Sequence, residues 1–284
     1  MTQTSSTQGE QIEVSSAPAV GILTPETAAF YRAMVEALRA AGLPFLVGGA
    51  YAFARYTGIE RHTKDFDVFV REEDVDRAMM ALGSAGCATE LTFPHWLGKA
   101  YCGEDFIDVI FSSGNGLARV DEGCFAHAVE DEVLGLPVNL IPPEEMLWSK
   151  AFVMERERYD GADINHLLHA RAADLDWSRL LERFGEHWPV LLSHVVLFAY
   201  VYPAEASNVP TWVIHELLGR APSLFTALVD GDRTTKGPLI SRAQYLIDVE
   251  SWGYRDPRLD TQGGSMTAGE IDHWTAAIDR DGEK

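Results

Sequence analysis

Asp65-Phe66-Asp67 sets two carboxylates two residues apart in a run, Asp65 to Val70, that otherwise reads as a β-strand. Residues two apart share a face of a strand, so both acids point one way while Phe66 and Val68 point the other. Like charges held together repel and are costly to desolvate, and a divalent cation between them relieves both costs. A second strand-like run, Phe106 to Phe111, carries Asp108 between Ile107 and Val109. Strand phase selects Asp108 over the nearby Glu104 and Asp105. Asp65, Asp67 and Asp108 together would form an oxygen cage suited to two-metal phosphoryl chemistry.

These acids must be positioned by what precedes them. Pro44 to Val47 reads as a short buried strand, and Gly48-Gly49 turns it into a helical stretch, Ala50 to Tyr56, closed by Gly58. A glycine pair at a helix start lets backbone amides approach a phosphate closely. The pair lacks the third glycine of a dinucleotide-binding loop and the Gly-Lys-Ser/Thr of a P-loop. Upstream, Thr24-Pro25 marks a helix start and Gly42 its stop, with Phe30, Met34, Leu38 and Ala41 at helical spacing. Glu72 to Leu82 reads as an amphipathic helix, and Phe125 to Leu140 as two strands turned at Gly135. Helices and strands alternate up to this point, which indicates an α/β sheet.

After Pro142-Pro143 the pattern becomes helical: Glu144 to Arg158, Asp163 to Ala172, Trp177 to Phe184, Pro189 to Tyr200 and Trp212 to Leu218. From about Asp230 the chain reads as polar and irregular, with one helix around Ser241 to Glu250. The expected organisation is a disordered leader over 1–20, an α/β domain over 21–141 and a helical domain over 142–284.

The order apolar-Gly-Gly, helical spacer, acid-apolar-acid and later acid resembles the nucleotidyltransferase superfamily that includes DNA polymerase beta and the small aminoglycoside-modifying nucleotidyltransferases. Val47-Gly48-Gly49, Asp65-Phe66-Asp67 and Asp108 carry the resemblance, with a spacer longer than in many members. It covers about residues 43 to 170. Tyr56 to Lys64 looks most like bacterial stand-alone members, including proteins related to abortive-infection and toxin–antitoxin systems. The resemblance implies a mixed sheet with flanking helices, followed by a helical C-terminal domain. It also implies that Gly48 and Gly49 hold a nucleoside triphosphate, that Asp65 and Asp67 bind two magnesium ions or the one riding with the nucleotide, and that Asp108 completes the second site and accepts a proton from the attacking hydroxyl. Attack at the α-phosphorus would transfer a nucleoside monophosphate and release pyrophosphate.

Lys150 falls on the helix after Pro142-Pro143, where members of the superfamily often carry a lysine facing the triphosphate; a solvent-exposed lysine is the alternative. Lys64 and Arg61 read either as neutralising phosphate or as balancing Asp65. Asp160 reads as the N-cap of the next helix rather than a ligand. His166, His169, His187 and His194 lie on helical faces and read as structural.

Twenty-three basic against 43 acidic residues give a net charge of -20, which disfavours broad nucleic-acid binding. With the resemblance, this makes a small hydroxyl-bearing molecule the first reading of the acceptor. Transfer to RNA or protein by a toxin–antitoxin component, or an idle binding or antitoxin member, are the rivals. Cys87, Cys102 and Cys124 are odd in number and form no Cys-x-x-Cys pair, so they read as buried free thiols. No apolar leader is present at the start, and Val190 to Val201 is too short to span a bilayer, so the expected location is the cytoplasm.

Overall fold

The computed structural model describes residues 23–61, 63, 65–226, 233–259 and 266–281. The expected leader over 1–20 lies outside them. Seven strands form one mixed sheet: β1 (Leu46–Val47), β2 (Asp65–Phe69), β3 (Ala88–Phe93), β4 (Leu97–Cys102), β5 (Asp105–Ile110), β6 (Val129–Val133) and β7 (Leu136–Leu140). Their order across the sheet is β3-β4-β5-β2-β1-β7-β6. The β1–β7 and β2–β5 pairs are parallel and the other four antiparallel.

Twelve helices are described: α1 (Pro25–Ala40), α2 (Gly49–Thr57), α3 (Val75–Ser84), α4 (Glu122–Ala126), α5 (Pro143–Ala151), α6 (Gly161–Arg171), α7 (Trp177–Phe184), α8 (Trp188–Val201), α9 (Thr211–Arg220), α10 (Ser223–Thr226), α11 (Leu246–Glu250) and α12 (Ala268–Asp281). Thr24 caps α1 as its spacing predicts, accepting the Thr27 N–H at 3.1 Å. The buried face of α1 lies against the side of β2 opposite the acids, with Tyr31 and Phe66 ring centroids 5.1 Å apart. One apolar core runs from Tyr31 on α1 through the sheet to Leu217 on α9.

At the start of α5, Glu144 and Glu145 are buried, and Arg179 of α7 pairs with both. Arg183 pairs with Glu145 at 3.0 Å and with Asp121 at 2.5 Å. Charges this far from water need such partners, and here they lock α7 onto α5.

Several elements differ from the sequence reading. The β3–β4 hairpin was not anticipated: β3 is largely exposed and β4 carries a glycine, so neither shows an apolar run. Phe125 lies within the short helix α4 instead of opening a strand. The segment expected to be helical to Arg158 leaves the helix after Ala151, where the Met154 N–H is taken by the Ile240 carbonyl at 3.0 Å. That tertiary bond outweighs the local helical preference. The irregular tail contains α12, whose Ile271 and Trp274 form a small second core with Met266 against Phe93. Cys102 is exposed, while Cys87 and Cys124 are buried, and all three are free. No helix among the described residues is long and apolar enough to cross a membrane.

Candidate active site

Parallel pairing sets Asp67 of β2 directly beside Asp108 of β5, and Asp65 shares their face. One oxygen from each of Asp65, Asp67 and Asp108 lies within 4.8 Å of the others. The sheet therefore brings together the three acids that sequence spacing selects. Asp105, by contrast, accepts a hydrogen bond from Thr27 at 3.1 Å, away from the cluster.

Gly48 and Gly49 sit where β1 becomes α2, and the Gly48 N–H donates to the Asp67 carbonyl at 3.0 Å. Gly49 has φ +54°, and a β-carbon built on it would land on the Asp67 carboxylate. Glycine is needed there twice over, for the left-handed backbone and for the close approach. A β-carbon on Gly48 would strike the Phe69 ring.

Crowding shows in the acid–base properties. Burial, then the charges of Asp65 and Asp108, push the Asp67 carboxyl up to about 8, against the opposing pull of Lys150 and Lys99. Burial also raises Asp108, opposed by Lys99 and assisted by Asp65. Thr63 donates to an Asp65 carboxylate oxygen. Three carboxylate groups converging at this range are a hard oxygen donor set, which suits magnesium or a similar divalent cation. The protein residues thus fit such an ion.

Lys150 is not a solvent-exposed lysine. Its side chain is 18% exposed, lines the cleft, and pairs with Asp160 and Asp163 at 2.8 Å each. Asp160 does occupy the N-cap position of α6, but its side chain makes no capping bond. It is held by Lys150 and by Arg158 at 2.9 Å. Burial works to raise Asp160, yet these cations hold its carboxyl below the ordinary value. Arg61 turns from Asp65 to Asp163, at 2.5 Å, and stacks over Phe53. Lys64 and His62 lie outside the described residues. Among the helical histidines, His194 is buried and bonded to the Ala151 carbonyl at 2.9 Å, with burial lowering its pKa.

Lys99, on β4, is a site residue that sequence reasoning missed. Its Nζ donates to Asp108 Oδ1 at 2.6 Å. The signal was available: the two-residue turn at Gly103-Glu104 pairs Cys102 with Asp105, and counting back along the hairpin pairs Lys99 with Asp108.

The acids open onto a cleft of about 710 Å³, a size ordinary for small-molecule sites. Part of its lining comes from the β3–β4 turn and part from the C-terminal region. Phe93 and Trp96 stack at 5.7 Å, His273 lies 5.2 Å from Phe93, and Arg242 sits 5.2 Å above Trp274 while pairing with Glu155 at 3.1 Å.

No family model matches the chain, and a search of curated proteins gives no match. Solved structures similar to it include the solution structure of the antibiotic-resistance factor ANT(2'')-Ia, at 17% identity and a TM-score of 0.43, covering 60% of this chain and 96% of that one. A crystal structure of ANT(2")-Ia with adenylyl-2"-tobramycin is similar at 15% identity and a TM-score of 0.40, covering 62% and 99%. The lincomycin-bound lincosamide antibiotic adenylyltransferase LnuA is similar at 13% identity and a TM-score of 0.38, covering 52% and 99%.

Proposed function

We propose that the chain is a magnesium-dependent nucleotidyltransferase that moves a nucleoside monophosphate from a nucleoside triphosphate to a hydroxyl of a small acceptor. The observation that carries this reading is the convergence of Asp65, Asp67 and Asp108 on one sheet face beside the Gly48-Gly49 turn.

Asp65 and Asp67 would hold magnesium, which when bound neutralises phosphate charge at the reacting centre. Gly48 and Gly49 let the turn close onto the Phe69 ring and the Asp67 carboxylate, which sets the start of α2 beside the acids, and backbone amides there would hold the triphosphate. Lys150, held at the cleft wall by Asp160 and Asp163, would turn one of its donors to the triphosphate. Asp108 stands ready to take the proton of the acceptor hydroxyl, and its raised pKa makes it a better base than an ordinary carboxylate. The acceptor oxygen attacks the α-phosphorus, the bond to the β-phosphate oxygen breaks, and pyrophosphate leaves with the electron pair. Catalysis is by positioning and charge neutralisation.

The walls favour a small acceptor over RNA. Lys99, Lys150, Arg158 and Arg242 line the cleft, and each is already paired with a carboxylate. A polyanion would find no basic track of unpaired cations among these four. The test is to incubate the purified protein with labelled nucleoside triphosphates, magnesium and panels of small hydroxylated molecules, RNA and protein. Labelled product and pyrophosphate should appear with a small acceptor and vanish in Asp67→Ala and Asp108→Ala. Release that survives either substitution removes the mechanism, and labelling confined to RNA or protein removes the acceptor class.

A further inference from the structure

Four strands present one row of charged residues across the sheet. Glu90 on β3 pairs with Lys99 on β4, Lys99 with Asp108 on β5, and Asp108 with Asp67 on β2. Lys99 stands within this row as the only cation. Its Nζ lies 2.6 Å from Asp108 Oδ1 and 4.3 Å from the centroid of the Phe106 ring, and its side chain is 19% exposed. Phe106 precedes Asp108 by two residues and so shares its face. The ammonium is therefore fixed by a charge-assisted hydrogen bond on one side and an aromatic face on another.

We propose that Lys99 takes the place of a second metal ion, so that the site works with a single divalent cation held at Asp65 and Asp67. The inference rests on the nucleotidyltransferase reading and changes its metal count. Ionised around a bound divalent cation, Asp65, Asp67 and Asp108 would carry three negative charges, which that ion and the Lys99 ammonium balance before the triphosphate enters. A second divalent ion at Asp108 would have to break the contact with Lys99 or stand next to its like charge. The ammonium uses one oxygen of Asp108 and leaves the other for the proton of the acceptor hydroxyl. Lys99 acts through Asp108 and is a positioning residue.

The readout is a count of bound manganese by electron paramagnetic resonance, in the presence of a non-hydrolysable α,β-methylene nucleoside triphosphate. The unmodified protein should hold one Mn²⁺ per chain. Lys99→Met, which keeps an unbranched side chain one atom shorter and removes the charge, should hold two with mutual spin coupling. Lys99→Arg should return the count to one, and circular dichroism establishes that each variant is folded; Lys99→Gln replaces the methionine variant if that one is not. A merely structural lysine would leave the count unchanged. Two coupled ions in the unmodified protein, or one ion in both it and the neutral variant, overturns the proposal while leaving nucleotidyl transfer standing. No bound ion in any of them overturns the metal site and this proposal with it.

Discussion

Asp67→Asn should stabilise the metal-free protein, although it removes a residue proposed to be essential. Asp67 has its carboxyl pushed up to about 8 from an ordinary value of 3.8. For a group whose pKa is higher in the folded state, the associated stability is complete below the unfolded value and is lost as pH rises through the folded one. At about 1.4 kcal/mol per pH unit, the gap corresponds to a ceiling of about 5–6 kcal/mol above pH 8. Asp67 retains partial contact with solvent, and a higher effective dielectric reduces the figure to about 2–3 kcal/mol. Asparagine keeps the shape and carries no charge. Thermal melts in EDTA at pH 8 should therefore put Asp67→Asn about 5–10 °C above the unmodified protein, with the difference shrinking towards pH 4. Adding magnesium should raise the melting temperature of the unmodified protein and leave the variant where it was. Equal melting temperatures in EDTA at pH 8 would refute the claim that burial and the neighbouring carboxylates destabilise an ionised Asp67, and an equal response to magnesium would refute Asp67 as a ligand.

Gly49→Ala should lower pyrophosphate release by about 100-fold or more, because a side chain there displaces the Asp67 carboxylate and small displacements of reacting groups cost that much; near-normal rates would show that the close approach is dispensable. Lys150→Ala should raise KM for the nucleoside triphosphate by about 10–100-fold with a smaller effect on kcat, the loss of one charge-assisted contact. A lower melting temperature with unchanged KM would make Lys150 a structural partner of Asp160 and Asp163 alone. Arg179→Ala should cost about 3–5 kcal/mol in urea unfolding, since it strips a partner from the buried Glu144 and Glu145.

The features legible in the sequence are those specified by neighbouring residues. Thr24-Pro25 and Gly42 bound α1, and Gly58 closes α2 in a left-handed conformation at φ 72°. Alternation in Asp65 to Phe69 assigns its two faces correctly, and this brings the acids to a common side once β2 and β5 pair. What escaped depends on partners distant in the chain. β3 and β4 lack an apolar signature because one is exposed and the other faces a cleft containing Lys99. The exit of the chain after Ala151 depends on Ile240, about which residues 144–158 contain no information. α12 is a different case, because Thr267 and Glu270 form a reciprocal cap, with the Thr267 N–H 2.7 Å from Glu270 Oε2 and the Glu270 N–H 3.3 Å from Thr267 Oγ1. That Thr-x-x-Glu pattern was visible, followed by Ile271 and Trp274 at helical spacing.

The row from Glu90 to Asp67 also restricts how the gene for this chain can change length. Successive residues of a strand face opposite sides, so one codon inserted within β4 between Lys99 and the Gly103-Glu104 turn would bring a different residue opposite Asp108 and turn Lys99 towards the core. Two inserted codons would restore the side but slide the lysine along the sheet. Point substitutions can be sampled one at a time in these strands, whereas insertions and deletions are confined to the connections that leave the pairing intact. Among descendants of this sequence, length variation should collect in loops outside the turn at Gly103-Glu104, and β4, β5 and that turn should keep their lengths even where their residues diverge.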